Sequence, residues 1–373
     1  MRRLINPEFV VNISRPTLLL DKRKCLDNID RIVAKAKNND VLLRPHFKTH
    51  QSHEIGRWFR DRGVKQCTVS SLHMAAYFAQ DGWDDITVAF PVNHHEIEVI
   101  NQLAAKIALN ILITSIESIA LIQSGLKHKV NAFIDIDTGY HRTGFQPAHH
   151  AKIEEAIQLI DRSSFLQFAG FLSHAGHTYK CRSHEEIKRI HKVEMDIMLG
   201  LANKFRPSFG NLLISIGDTP SASVLDRFEG MNEMRPGNLV FYDLVQEQIG
   251  SCAKDQIALA MACPVVAVYP ERSEAIIYGG GVHFSKDAMT TDAGRISFGE
   301  LVERTNEGWS TAPTGSYIKS LSQEHGIVHV PSNNLKVGDV IFVLPVHACL
   351  TADKMGAYIT LEGERIARLA SPV

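Results

Sequence analysis

Val41-Leu42-Leu43-Arg44-Pro45-His46-Phe47-Lys48-Thr49-His50 is the stretch on which the reading of this chain turns. Residues 41–43 read as a buried strand, and a lysine emerges just past its end. A primary amine at a strand mouth can form a Schiff base with an aldehyde when its surroundings keep part of it neutral. On an extended backbone His46, Lys48 and His50 would share one face. The alternative is a basic strand end on the surface, and the rest of the chain decides between them.

Outward from there, short apolar runs alternate with amphipathic helical stretches from about residue 15 to about residue 245. Strands are expected at 17–20, 41–44, 66–69, 86–89, 110–113, 132–135, 168–173, 212–216 and 239–242, with helices such as 71–80 and 151–162 after them. Repeated β-then-α units give a parallel sheet, and their tally is that of a closed (β/α)8 barrel of the TIM type. In such an α/β fold the functional residues lie just after the strands. Past about residue 250 strands follow one another with little helix, at 257–269, 275–278, 317–320, 326–330, 340–346 and 355–361. Val337-Gly338-Asp339 reads as a turn feeding the fifth of these. The expected division is 15–250 for the barrel and 251–373, with 1–14, for a smaller antiparallel β domain.

A net charge of -1 gives no electrostatic footprint for nucleic acid or an anionic membrane. No run approaches the roughly 18 apolar residues of a membrane span. Met1-Arg2-Arg3-Leu4-Ile5-Asn6-Pro7 lacks the apolar stretch of a signal peptide. The six cysteines are scattered without paired spacing, which fits reduced thiols in a cytoplasmic protein better than disulfides. Eighteen histidines, several at strand ends, point to metal or proton-transfer chemistry.

Polar clusters fall where barrel strands should end. In Asp135-Ile136-Asp137-Thr138-Gly139-Tyr140-His141-Arg142-Thr143-Gly144, Arg142 could hold a phenolate or carboxylate, or could pair with Asp135 or Asp137. Ser173-His174-Ala175-Gly176-His177-Thr178-Tyr179 puts two histidines and a tyrosine in one loop. Ser215-Ile216-Gly217-Asp218-Thr219-Pro220-Ser221 and Arg235-Pro236-Gly237-Asn238 lie in the last quarter of the barrel, where backbone amides and hydroxyls frequently bind phosphate. In Pro345-Val346-His347-Ala348-Cys349-Leu350-Thr351, a histidine and a cysteine two apart on an extended strand could share a zinc ion, leaving positions for water and substrate. They could equally be a core cysteine beside a half-buried histidine. Glu324 and His325 are further candidate ligands.

Together these segments resemble the D-serine dehydratase and D-threonine aldolase family, whose barrel is similar to the N-terminal domain of alanine racemase. Arg44-Pro45-His46-x-Lys48-Thr49-His50 resembles the family's pyridoxal-phosphate lysine motif, Thr219 with Gly237 and Asn238 its phosphate cup, and His347-x-Cys349 the metal motif of the dehydratases. The likeness runs from about Pro16 to Leu361. The aldolase branch more typically has His-x-Asp at the metal pair and lacks the Phe241-Tyr242-Asp243-Leu244-Val245-Gln246 continuation. Gln51 departs from the lysine usual there, which bears on substrate preference more than on the cofactor.

The resemblance implies pyridoxal 5'-phosphate on Lys48, with its phosphate on Thr219, Gly237 and Asn238, its phenolic oxygen on Arg142, its ring face against His174 and its pyridine nitrogen in reach of Tyr179. It implies Zn2+, or another divalent metal, on His347 and Cys349, binding the β-hydroxyl of a D-amino acid. Lys48 would then be the general base at the α-carbon, and loss of hydroxide would take D-serine to pyruvate and ammonia. In the aldolase alternative His177 or a metal-bound water removes the hydroxyl proton, and Cα–Cβ cleavage gives glycine and an aldehyde. A racemase would need a second acid-base group on the opposite face, and no tyrosine motif of the β domain supplies one. A non-enzymatic pyridoxal-phosphate carrier would resemble the barrel alone, and a metal-only hydrolase would ignore Lys48. Sites of this family lie between a barrel mouth and a β domain, often the partner chain's, so a homodimer is expected.

Overall fold

The computed structural model describes residues 13–291, 293–311 and 314–370. Its first strand, β1 (Thr17–Leu20), departs from expectation. Leu18, Leu19 and Leu20 are all buried, the apolar signature of a strand covered on both faces. Yet β1 pairs antiparallel with residues 259–262 and parallel with residues 359–360, so it belongs to a nine-stranded sheet and not to the barrel.

The eight barrel strands are β2 (Leu42–Leu43), β3 (Gln66–Val69), β4 (Asp85–Pro91), β5 (Ala108–Ile113), β6 (Val130–Asp135), β7 (Leu166–Ser173), β8 (Leu213–Ile216) and β9 (Glu233–Met234). They lie in the order β2-β9-β8-β7-β6-β5-β4-β3, and every ladder is parallel. The ring closes just past β2. There the Phe47 amide donates to the Thr68 carbonyl at 2.8 Å and the Thr68 amide to the Pro45 carbonyl at 2.9 Å. β2 is short because Pro45 has no N–H to continue its ladder.

β9 takes the place expected for residues 239–242, of which Leu239 and Val240 instead lie in a 3-10 turn, Asn238–Val240, as buried core. Glu233 hides β9 from an apolarity reading. It is buried, 2.8 Å from Arg44 Nε, and accepts from Ser215 Oγ at 2.5 Å. Arg44 also reaches Asp85 at 2.6 Å, so one ion network ties β2, β4, β8 and β9. Serine caps start three of the helices: Ser71, Ser115 and Ser183 accept from the amides of Met74, Ser118 and Glu186.

The chain forms two compact units, one of Asp30–Gly237 and one of residues 13–29 with Asn238–Ala370. The expected limits were 15–250 and 251–373 with 1–14; residues 1–12 and 371–373 lie outside the described residues. In the second unit β10 (Leu259–Tyr269) pairs with β1, with Glu274–Tyr278 and with Val340–Pro345. Glu274–Tyr278, His325–His329, Tyr317–Leu321, Gly299–Val302, Val340–Pro345 and β10 follow one another around a closed antiparallel circuit. Gly338, at φ +95°, makes the expected turn into Val340–Pro345. No described helix is long and apolar enough to cross a membrane.

Candidate active site

The lysine segment is set by its phenylalanine. Phe47 is fully buried, with ring centroids 4.8 Å from Phe78 and Trp83 and 5.5 Å from Phe59. Past His46 the strand has given way to a turn, so the expected sharing of one face by His46, Lys48 and His50 does not occur. His50 is buried against Phe47, and its Nδ1 accepts from the Ser52 amide at 3.1 Å. Lys48 is exposed at the barrel mouth, with its amide 3.4 Å from His46 Nδ1.

At the ends of β8 and β9 the chain forms a cup. Asp218 Oδ1 accepts from the Ser221 amide at 2.7 Å and from Thr178 Oγ1 at 3.0 Å, capping the helix Thr219–Val224. Thr219 Oγ1 is buried with no hydrogen-bond partner. The Thr219 amide donates to the Tyr179 hydroxyl at 3.3 Å, which puts Tyr179 beside the cup rather than with an expected pyridine nitrogen. A Cβ on Gly237 would come within 2.8 Å of the His46 carbonyl and 3.0 Å of Thr49 Oγ1, so the cup backbone approaches the lysine segment as only glycine permits.

Asn238 does not serve that cup with its side chain. Its Nδ2 donates to Asp243 Oδ2 at 2.6 Å and lies 3.7 Å from Cys349 Sγ.

A cleft of about 220 Å³ is lined by Asp135, Asp137, Tyr140, Arg142, Thr143 and His174 among others. Arg142 makes no ion pair there; its guanidinium lies 5.3 Å from the Tyr140 ring. Asp135 accepts instead from Thr143, and Asp137 from the His141 amide and ring and from Gln146. Burial, then the charges of Arg142, Lys48 and Arg235, holds His174 at about 3 despite its bond to the Gly217 carbonyl. Burial and the same cations hold His46 well below its ordinary value. Both imidazoles are therefore neutral while cations surround them, a field that suits a multiply charged anion. His177 is half-buried with Nδ1 unpartnered, and its ring stacks on Tyr140 at 6.2 Å; burial lowers its pKa.

The His347 and Cys349 pair is built differently from the expected strand. Val340–Pro345 ends before it, His347 precedes the helix Ala348–Lys354, and Cys349 sits in that helix's first turn. His347 Nδ1 is 2.7 Å from Asp287 Oδ2, and the same ring hydrogen-bonds the Cys349 side chain. Burial disfavours a charge on His347, but Asp287, Cys349 and Asp243 push its pKa up to about 11. That negative field and an N,S donor pair fit a divalent cation. Among the described residues no cluster of three or more such donors is assembled, and Glu324 lies 3.8 Å from His283 instead. Asp287 belongs to no motif in the sequence, and Asp243, though part of the 241–246 continuation, carries no expected role there.

The fold and the barrel-mouth lysine define a class of protein: a closed parallel barrel that presents an amine beside a cup at the ends of β8 and β9, in a chain that continues into an antiparallel sheet. The chain belongs to the alanine racemase, N-terminal domain family, whose model matches residues 20–244. The model of a putative serine dehydratase domain matches residues 258–361. The chain is 28% identical to a D-serine dehydratase of Dictyostelium discoideum, covering 96% of each. It is 27% identical to a D-threo-3-hydroxyaspartate dehydratase of Delftia sp., covering 95% of this chain and 96% of that one. The crystal structure of an alanine racemase-like protein of Idiomarina loihiensis superposes with a TM-score of 0.89 at 26% identity, covering 98% of this chain and 99% of that one.

Proposed function

We propose that this protein is a pyridoxal-phosphate-dependent lyase acting on β-hydroxy D-amino acids, converting D-serine to pyruvate and ammonia with the help of Zn2+ or another divalent metal. The observation that carries the reading is Lys48 at the mouth of a closed barrel, beside a cup with an unpartnered buried hydroxyl and near the charges of Arg142 and Arg235. The names of the two dehydratase relatives support the substrate class. Bound pyridoxal phosphate supplies an electron sink that makes the substrate's α-proton acidic.

The chain's own residues do the rest. Lys48 would hold the cofactor covalently, and its amine would take the proton from the substrate α-carbon. Thr219, Gly237 and Tyr179 hold the phosphate, Arg142 the phenolic oxygen, and His174, neutral, the ring face. His347 and Cys349 would hold the metal, whose contribution would be Lewis-acid polarisation of the β-hydroxyl. His177, its pKa lowered by burial, would carry a proton at the β-oxygen. The reduced state of all six cysteines fits a cytoplasmic enzyme, and a homodimer is its expected assembly.

The test is pyruvate and glycine production from D-serine and D-threonine by the cofactor-loaded protein, with and without a chelator. Chelator-sensitive pyruvate from D-serine supports the reading. Glycine with an aldehyde would move the protein to aldol cleavage, and neither product from a loaded enzyme would defeat the assignment. Sedimentation showing only monomer at working concentration would count against the dimer.

A further inference from the structure

We propose that Asp287 and Asn238, the latter held by Asp243, are positioning residues that set the metal affinity and charge of the His347 and Cys349 pair. The inference rests on the reading of that pair as a metal centre.

An imidazole binds a metal through one nitrogen, and the hydrogen bond at the other fixes which nitrogen is free and where the ring points. Asp287 Oδ2, 2.7 Å from His347 Nδ1, holds the proton on Nδ1, and the ring's other hydrogen bond is to the Cys349 side chain. Asp287 is itself placed. Its amide donates to Ser285 Oγ at 3.2 Å, and Ser285 adopts φ +71°, turning the chain as it leaves the short helix Gly281–Phe284. Thr351 Oγ1 donates to the Phe284 carbonyl at 2.9 Å, tying that turn to the helix that bears Cys349.

The sulfur has its own support. Asn238 Nδ2 lies 3.7 Å from Cys349 Sγ and 2.6 Å from Asp243 Oδ2. That same oxygen accepts from the Ala348 amide at 2.9 Å, and Oδ1 accepts from the Gln246 amide at 2.9 Å. One buried carboxylate therefore fixes both the amide that donates to the sulfur and the first turn of the helix that carries it. An N–H donated to a thiolate draws charge off sulfur, so a metal bound there stays a stronger Lewis acid toward a substrate oxygen. The sequence interval from 238 to 349 conceals this arrangement; it exists only in the fold.

Wild type, Asp287→Ala, Asp287→Asn and Asn238→Ala, each loaded with pyridoxal phosphate and stripped of metal, would be titrated with Co2+. The thiolate-to-cobalt charge-transfer band and the affinity in competition with a chelator are the readouts. Asp287→Ala should weaken Co2+ binding by about 10- to 100-fold, and Asp287→Asn should recover part of it, because its amide oxygen still accepts from Nδ1. Asn238→Ala should move the charge-transfer band to longer wavelength as the sulfur loses its donor. Equal affinities and an unmoved band across the variants, with wild type binding Co2+, would overturn the inference and leave the metal centre standing. No band in wild type would remove the metal centre and the inference with it. Should Asp287→Ala fail to fold, the near-isosteric Asp287→Asn decides: affinity lowered less than tenfold but measurably supports the inference, and unchanged affinity overturns it.

Discussion

The backbone that carries Lys48 is held in place by its neighbours. Phe47 locks the backbone on one side and the bridge from His46 to Thr68 on the other, so the amine leaves the barrel wall from a rigid point. Lys48→Ala should lower turnover by at least about 10²-fold, and borohydride reduction should label the Lys48 peptide of wild type with a phosphopyridoxyl group. A label on another lysine would defeat the assignment. Thr219 Oγ1 is the buried hydroxyl awaiting a partner. Thr219→Ala should weaken retention of pyridoxal phosphate by about 1.5–3 kcal/mol, the worth of a hydrogen bond to a charged group. Unchanged affinity in equilibrium dialysis would take the hydroxyl out of the cup. Behind the cup, Glu194 accepts from Ser173 Oγ at 2.7 Å, and burial followed by the nearby Asp218 raises its pKa from 4.5 to about 8. An acid raised in the native state is deprotonated first in the unfolded chain. Stability is thus intact below pH 4.5 and declines as pH rises to about 8. Glu194→Gln should remove that decline, by on the order of 1–3 kcal/mol between pH 5 and 8 in urea melts; parallel pH profiles would argue against a protonated Glu194.

Among the elements, the barrel is joined by charge as well as by ladders. Arg44 links β2 to β4 and β9 through Asp85 and Glu233. Removing Glu233 leaves Arg44 to Asp85 alone with its Nε donor unpaired, so Glu233→Ala should cost about 1–3 kcal/mol. A loss below about 1 kcal/mol would mean that water enters the barrel to replace it. The same pair shows why the sequence was only partly legible. Seven of the eight barrel strands carry enough apolar residues to be read from the chain, but β9 is two residues long and one of them is charged. β1 failed for the opposite reason: burial on both faces looks alike in a parallel barrel and at the centre of an antiparallel sheet, and only pairing distinguishes them. At the site, Lys48, Arg142, His174 and Thr219 were readable because each follows a strand, and His347 and Cys349 because they are two apart. Asp287 lies in a turn with no pattern around it, and the role of Asn238 depends on a contact 111 residues away.

At the scale of the whole molecule, the two units differ in how the chain supplies them. Asp30–Gly237 is one continuous stretch, and all its barrel strands leave the ribosome in order. The other unit is discontinuous. β1 is made first, yet its partners are residues 259–262 and residues 359–360. Through synthesis of the intervening barrel, three consecutive leucines therefore wait with both backbone edges unpaired, the kind of segment that chaperones bind and that pairs with the wrong chain. Expression yield should accordingly respond to holdase supply and to charge placed near β1 far more than to changes within the barrel. A chain cut after Leu20 would leave β10 and Ala357–Thr360 without the strand between them, however well the barrel had folded.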